Sequence, residues 1–374
     1  MLKLDKQQIE DLLVGAKILG TGGGGEIEWV RPLIEEVFDK GKEFVLVDPN
    51  EVPDDELVVM AARLGGGITA EEAKMVEGYR EVYERPELTA VEELSRYLGK
   101  SPYALIPAEI GAGNTLAPMY VAAMLDKVTV DGDACGRAKP EITISTTNIV
   151  GVPTTPLCIV SRYGDIMFLD KAVDDKRVEQ ICRAVATASG GMVGVCRCPM
   201  LGSIMRKAIV PNSISRAILI GRRIREAHEK GKNAVEALVS TVNGFKVFAG
   251  RVSAFKREEK GSFMWGYIVI QGKEEYEGQT LKVVFKNEHI ISWLNNKPFI
   301  TCPDLICIVD AKTAFGLSNW KDDFSAGREV VVIGIPAHPL WRTEKGLKIF
   351  GPTHFGYDIP YTPLEEIIEK ISRK

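Results

Sequence analysis

A chain of 374 residues exceeds one ordinary core and predicts two domains, and its 45% hydrophobic and 26% charged residues exclude a disordered or fibrous protein. The formal net charge of −4 leaves no dense basic face, which argues against a general nucleic-acid binder; the basic run 222–225 is followed by Glu226 and Glu229 and reads as a solvated helix face. No stretch approaches the roughly 20 apolar residues of a membrane span, and residues 1–13 lack the apolar core of a signal peptide.

In chain order, Ile9, Leu12, Leu13 and Ala16 fall on one face of a helix with Asp5 as its N-cap. The glycine run GTGGGG follows at 20–25, then a helix over 26–39. FVLVD (44–48) and LVVMAARL (57–64) read as buried strands. Residues 69–83 read as a helix opened by a Thr69/Glu72 capping box. A helix is predicted at 88–98, a strand at 103–107, a helix at 115–125 capped by Asn114, and a strand at 127–131. This alternation predicts an α/β layer with a largely parallel sheet. Two short strands come next, then helices at 174–188 and 212–240. Residues 244–285 are strand-rich, and three further strands are expected at 305–310, 329–335 and 347–350. The expected fold class is therefore α/β to α+β. Residues 1–170 form an N-terminal α/β domain and 171–374 a C-terminal α+β domain with a β-rich portion, the boundary lying near 165–175.

Seven cysteines in a chain with a sufficient core predict reduced thiols and a cytoplasmic location. Cys302 and Cys307 flank an apolar run and read as buried thiols. Four histidines exclude a His-rich metal site, though not one built from carboxylates.

The glycine run satisfies G-x-G-x-x-G, but a helix, not a strand, precedes it, so no nicotinamide or flavin is expected. Its amides remain able to cradle an anion. Gly65-Gly66-Gly67 and Gly111-Ala-Gly113-Asn114 sit at the carboxyl ends of predicted strands, where ligands bind in open α/β sheets. Glu109 is placed there as a general base or metal ligand. The densest segment is DGDACGRAKPE at 131–141. Asp131 and Asp133 can converge on one cation or hold a turn. Cys135 is a potential thiolate, Arg137 a fork for a carboxylate, and Glu141 a third acid. His338 and His354 lie on proline- and glycine-flanked loops, as a ligand or base would.

Taken together, GTGGGG, ARLGGG, PAEIGAGNTLAP, VDGDACGRAKPE, FKNEHI, CPDLICIVD, IPAHPLWRT and GPTHFGYDIPYTPLEE resemble, in order and spacing, the S-methyl thiohydantoin desulfurase family. That family was once known only as a domain of unknown function, and its members often accompany hydantoinase/oxoprolinase-type proteins. The resemblance runs nearly end to end. It implies two α+β domains and hydrolytic removal of a sulfur substituent from a hydantoin-like ring, with zinc.

The expectation is thus a metal-assisted hydrolase of a small cyclic amide or thio-imidate. A Zn²⁺-bound hydroxide would attack the ring. Asp131, Asp133 and Glu109 are the catalytic candidates, and Asp131, Asp133 and His338 the metal candidates. Gly22, Gly23, Gly24, Gly66, Gly113, Asn114, Arg137 and Glu141 are the expected substrate contacts. A small molecule is the expected partner, with a second copy or a hydantoinase-type protein as the protein partners considered. The rival reading is a non-catalytic metabolite-binding subunit of a hydantoinase/oxoprolinase-type complex.

Overall fold

The computed structural model describes residues 1–65 and 68–373. The chain opens with strand β1 (Leu2–Leu4) and helix α1 (Lys6–Leu19), whose Asp5 N-cap closes a reciprocal capping box with Gln8. Helix α2 (Ile27–Asp39), β2 (Phe44–Val47) and β3 (Leu57–Gly65) match the sequence expectation. The Thr69/Glu72 capping box also forms, but helix α3 (Ala70–Lys74) ends far short of residue 83. It buries no side chain to hold further turns, and Gly78 then enters the left-handed region.

Next come α4 (Pro86–Leu98), β4 (Ala104–Ile106), α5 (Ala112–Met124), β5 (Val128–Val130) and the two-residue β6 (Gly132–Asp133). Helix α6 (Thr146–Val150), strands β7 (Leu157–Ser161) and β8 (Ile166–Leu169), and α7 (Asp175–Ala188) lead to the long strand β9 (Met192–Leu201). Helix α8 (Gly202–Ala208), β10 (Val210–Pro211), α9 (Ser213–Glu229) and α10 (Ala234–Val242) follow. The expected helix over 212–240 is therefore two helices, parted at Gly231 in the left-handed conformation.

Strands β1 to β9, β6 excepted, form one eight-stranded sheet in the order β1-β2-β5-β4-β3-β9-β7-β8. Its centre, β2, β5, β4 and β3, is parallel, and the flanking strands run antiparallel. Strand β9 lies beyond residue 170 yet is inserted between β3 and β7, so this sheet crosses the boundary expected near 165–175.

The remaining strands are β11 (Phe245–Lys260), β12 (Phe263–Gly272), β13 (Thr280–Lys286), β14 (Glu288–Leu294), β15 (Lys297–Thr301), β16 (Leu305–Asp310) and β17 (Glu329–Ile335). They pair antiparallel as a second sheet, β15-β14-β13-β12-β11-β17-β16. The chain ends with α11 (Glu344–Phe350) and α12 (Leu364–Ser372). The strand expected at 347–350 is thus the end of a helix, because Thr343 accepts from the Gly346 amide and starts a turn there.

Strand periodicity explains how the two sheets share a core. On β16, Leu305, Cys307 and Val309 join the cluster built around α1, α9 and α10, while Ile306 and Ile308 face the interior of the second sheet. On β17, Val331, Ile333 and Ile335 alternate with Val330 and Val332 in the same way. The two domains therefore bury apolar surface against a common helical layer, and the glycine loop at 20–25 meets the start of β14. All seven cysteines are buried free thiols. No helix among the described residues is long and apolar enough to cross a membrane.

Candidate active site

A cleft of about 620 Å³ opens where the GTGGGG loop, the start of α5, the segment 139–142 and strand β9 meet residues 287–288 of the second sheet. Two buried carboxylates line it, Glu109 and Glu288. Glu109 follows β4, at the strand end where the sequence places it. Its Oε1 accepts from Asn114 Nδ2 and its Oε2 from the Lys139 amide at 3.0 Å. Asn114 is accordingly not the N-cap expected for a helix at 115. Helix α5 begins at Ala112 with Gly111 as its cap, which leaves the Asn114 amide free to hold Glu109.

Glu288 opens β14. Its Oε1 accepts the Gly24 N–H at 3.2 Å, and its Oε2 has no hydrogen-bond partner among the described residues. The glycine run is what lets this carboxylate sit there. A Cβ on Gly23 would lie 2.0 Å from Glu288 Oε1. Gly24, in the left-handed region, gives its carbonyl to the Gly113 and Asn114 amides at 3.0 Å each. The loop is thus pinned between α5 and β14.

Burial pushes both carboxyls above the usual range. The two environments then diverge. Lys139, Asn114 and Arg197 favour the charged form of Glu109, whereas the Glu109 charge pushes Glu288 further up against the opposing pull of Arg137 and the Gly24 amide. That asymmetry favours the proton on Glu288 over Glu109. Around them stand Arg63, Lys139, Arg183 and Arg197, and two indoles, Trp29 and Trp320.

Of the residues expected at the site, Glu109, Gly24, Gly113, Asn114 and Glu141 line this cleft. Gly66 lies outside the described residues. Gly22 and Gly23 sit behind it, against Asn319, His289 and Glu288. Arg137 is not a substrate clamp. It is buried, and its guanidinium donates to the carbonyls of Ala138, Pro303, Asp304 and His289 and to Thr21 Oγ1. A fork with every arm engaged ties the glycine loop to the second sheet and cannot also hold a ligand. The Glu141 carboxylate is likewise engaged by Lys286 and by His354 Nε2 (3.0 Å), and these partners depress it to about 2.

The expected zinc donors are not brought together. The Asp131 carboxylate accepts from the Ser215 amide and hydroxyl at the start of α9. Asp133 Oδ2 accepts the Cys135 and Gly136 amides at 2.7 Å each, a turn-holding role, and burial raises it to about 7. His338 caps the short 3₁₀ turn Pro339–Arg342. Among the described residues no group of three or more His, Cys, Asp or Glu side chains is placed to hold a metal ion. These residues do not fit a zinc centre. Nor is Cys135 a ready thiolate, since burial drives its thiol far above the ordinary value.

Two residues of the cleft escape a reading by sequence motif. Glu288 sits in FKNEHI, one of the segments carrying the family resemblance, but a single acid between strands has no periodic signal. Arg197 does have one: it is the sole charge in the strand sequence MVGVCRCPML, at a position facing the same side as the buried Val195.

Comparison with known proteins agrees with this architecture. Residues 7–171 match the family model described as S-Me-THD-like, N-terminal domain, and residues 173–364 match S-Me-THD-like, C-terminal domain. A crystal structure of a protein from Chromobacterium violaceum superposes with a TM-score of 0.79 at 24% identity. That match covers 97% of this chain and 100% of the other. At this identity the likeness is one of fold. No curated protein sequence matches the chain.

Proposed function

The chain belongs to the S-Me-THD-like family, and from that membership and its cleft we propose that it hydrolyses a small five-membered ring of the hydantoin or S-methyl thiohydantoin type. The single observation carrying this reading is the Glu109–Glu288 pair, two buried acids at one cleft, both raised by burial, with Lys139, Asn114 and Arg197 opposing the rise at Glu109 and the Glu109 charge adding to it at Glu288. Such a pair performs general base and general acid catalysis at neutral pH.

On an S-methyl thiohydantoin, Glu109 takes a proton from water as its oxygen bonds to the ring carbon bearing sulfur. The C–S bond then breaks, and Glu288 gives its proton to the departing sulfur. Methanethiol leaves, the ring carbon becomes a carbonyl, and the second water hydrogen moves to the ring nitrogen. Proton return from Glu109 to Glu288 restores the pair. The unpartnered Glu288 Oε2 suits the donor role, because once protonated it has no protein acceptor among the described residues. Trp29 and Trp320 line the cleft, and an indole can stack on a planar ring. No step in this reading passes through a metal ion.

The test is release of methanethiol from an S-methyl thiohydantoin by the purified protein. Wild type is expected to release it. Glu109→Gln and Glu288→Gln, each with an unchanged melting profile, are expected to lose roughly 100-fold or more in turnover. Release by both variants at the wild-type rate would remove the assignment.

A further inference from the structure

The two large sheets end in four edge strands, and an edge left bare pairs with whatever strand reaches it. Three of these edges are protected. Strand β1 is three residues long and ties its Lys3 to Glu43 at 2.6 Å. Strand β15 carries Pro298 and packs against α12. Strand β16 is closed by the segment that follows it, where the Leu317 amide donates to the Ile308 carbonyl at 3.1 Å. The fourth edge, β8, has none of these devices. Its sequence IMFL (166–169) holds no charge and no proline. Among the described residues no backbone hydrogen bond from another segment reaches its outer side.

The ladder fixes which groups point outward. The Ser161 amide donates to the Asp165 carbonyl at 2.9 Å, and antiparallel bonding alternates along the pair from there. Asp165, Met167 and Leu169 therefore turn their N–H and C=O toward β7, while Ile166 and Phe168 turn theirs away. The side chains alternate as well. Met167 and Leu169 pack with the cluster that includes Val178 and Cys182 of α7. On the other face Phe168 stacks on Tyr97 of α4, ring centroids 4.9 Å apart. Both rings stay open to solvent, Phe168 at 40% and Tyr97 at 47% exposed.

We propose that β8 is a homodimer interface, pairing antiparallel with β8 of a second copy of this chain about a twofold axis at Phe168. With the axis there, the outward groups of Phe168 in the two copies bond to each other, and those of Ile166 meet Asp170 of the other copy. The Phe168 rings and their Tyr97 partners come together, which covers the exposed aromatic surface. Asp165 of each copy then stands opposite Lys171 of the other. Both are exposed, and neither is in an ion pair within its own chain among the described residues. Moving the axis to Met167 or Leu169 would set Asp165 against Leu169 or Val173 instead. The strand is thus complementary in charge to its own copy in one register. This interface is independent of the reaction assigned to the cleft.

Analytical ultracentrifugation of the full chain, from about 1 to 100 μM, tests the proposal. Wild type is expected to be a dimer in the upper part of that range. Lys171→Asp and Asp165→Lys are each expected to weaken it roughly 10-fold or more, and the two exchanges together to restore it to within about threefold. Phe168→Pro removes the central outward donor without removing a bond to β7, and is expected to give a folded monomer. Should that variant misfold, the charge exchange decides alone. Wild type staying monomeric throughout overturns the proposal, as does a dimer that both single charge variants leave unchanged. A dimer weakened by each single variant and not restored by the exchange overturns the register, and the proposed interface with it.

Discussion

Replacing Asp133 by Asn isolates one buried carboxyl whose energetics can be worked from its surroundings. Asp133 is fully buried, Oδ2 takes two amide N–H groups, and Oδ1 has no hydrogen-bond partner among the described residues, with the Ser213 hydroxyl near the carboxyl. Burial outweighs those amides and moves the group from 3.8 in the unfolded chain to about 7 in the fold. A folded value above the unfolded one means that the folded chain binds the proton more tightly. The stability this contributes is fully present below about pH 4 and is lost as pH rises through about 7. Over that window the loss is about 4 kcal/mol, undiminished by solvent screening at a site with no exposure. Asn does not titrate. Its oxygen can keep the Cys135 and Gly136 amides, and its Nδ2 can donate to Ser213. Urea unfolding of wild type and Asp133→Asn at several values between pH 4 and 8.5 reads the difference directly. The variant is expected to gain on wild type by about 4 kcal/mol across the window. Parallel stability curves would show that Asp133 ionises freely in the fold, and the burial argument would fail with them.

Other outcomes follow from the same contacts. Gly23→Ala places a methyl into the Glu288 carboxylate, so turnover is expected to collapse while unfolding shifts by only about 1–3 kcal/mol; unchanged turnover would detach the loop from the acid. Arg137→Met strips donors from four buried carbonyls and is expected to cost roughly 3–5 kcal/mol, read as a large fall in melting temperature. A variant that folds normally but binds substrate weakly would instead restore Arg137 as a ligand clamp. Activity is expected to fall on both sides of a pH optimum, through Glu109 gaining a proton on the acid limb and Glu288 losing one on the alkaline limb. In Glu288→Gln the alkaline limb should vanish from whatever activity remains. Dialysis against a chelator is expected to leave turnover intact, since the pair moves both protons. A loss restored by added zinc would assign a step to a metal ion.

Local physics made part of this protein legible. The Asp5 N-cap, the Thr69/Glu72 capping box, the buried Cys302 and Cys307 and the placement of Glu109 at a strand end follow from short-range pattern, whereas the largely parallel sheet expected is parallel only at its centre. What failed depended on distant partners. Arg137 reads as a free fork because nothing near it in sequence shows that its acceptors lie at Thr21, His289, Pro303 and Asp304. Asn114 reads as a cap, but Glu109 takes its amide and the helix starts earlier. Asp131 and Asp133, two apart after a strand, look like a cation pair; instead Asp131 accepts from the Ser215 amide and hydroxyl on α9, and Asp133 from the amides of the turn at 135–136. Glu288 and Arg197 carry the cleft from the other direction, and only the fold brings them to Glu109.

The central claim is that Glu288 is protonated beside an ionised Glu109 at neutral pH. Difference infrared spectroscopy on wild type and Glu288→Gln tests it without any substrate. At pH 7 wild type is expected to show the C=O stretch of a buried, protonated carboxyl that titrates away at alkaline pH and is missing from Glu288→Gln. The same band persisting in Glu288→Gln and vanishing in Glu109→Gln would place the proton on Glu109 and reverse the roles. No protonated band assignable to either residue would contradict the account.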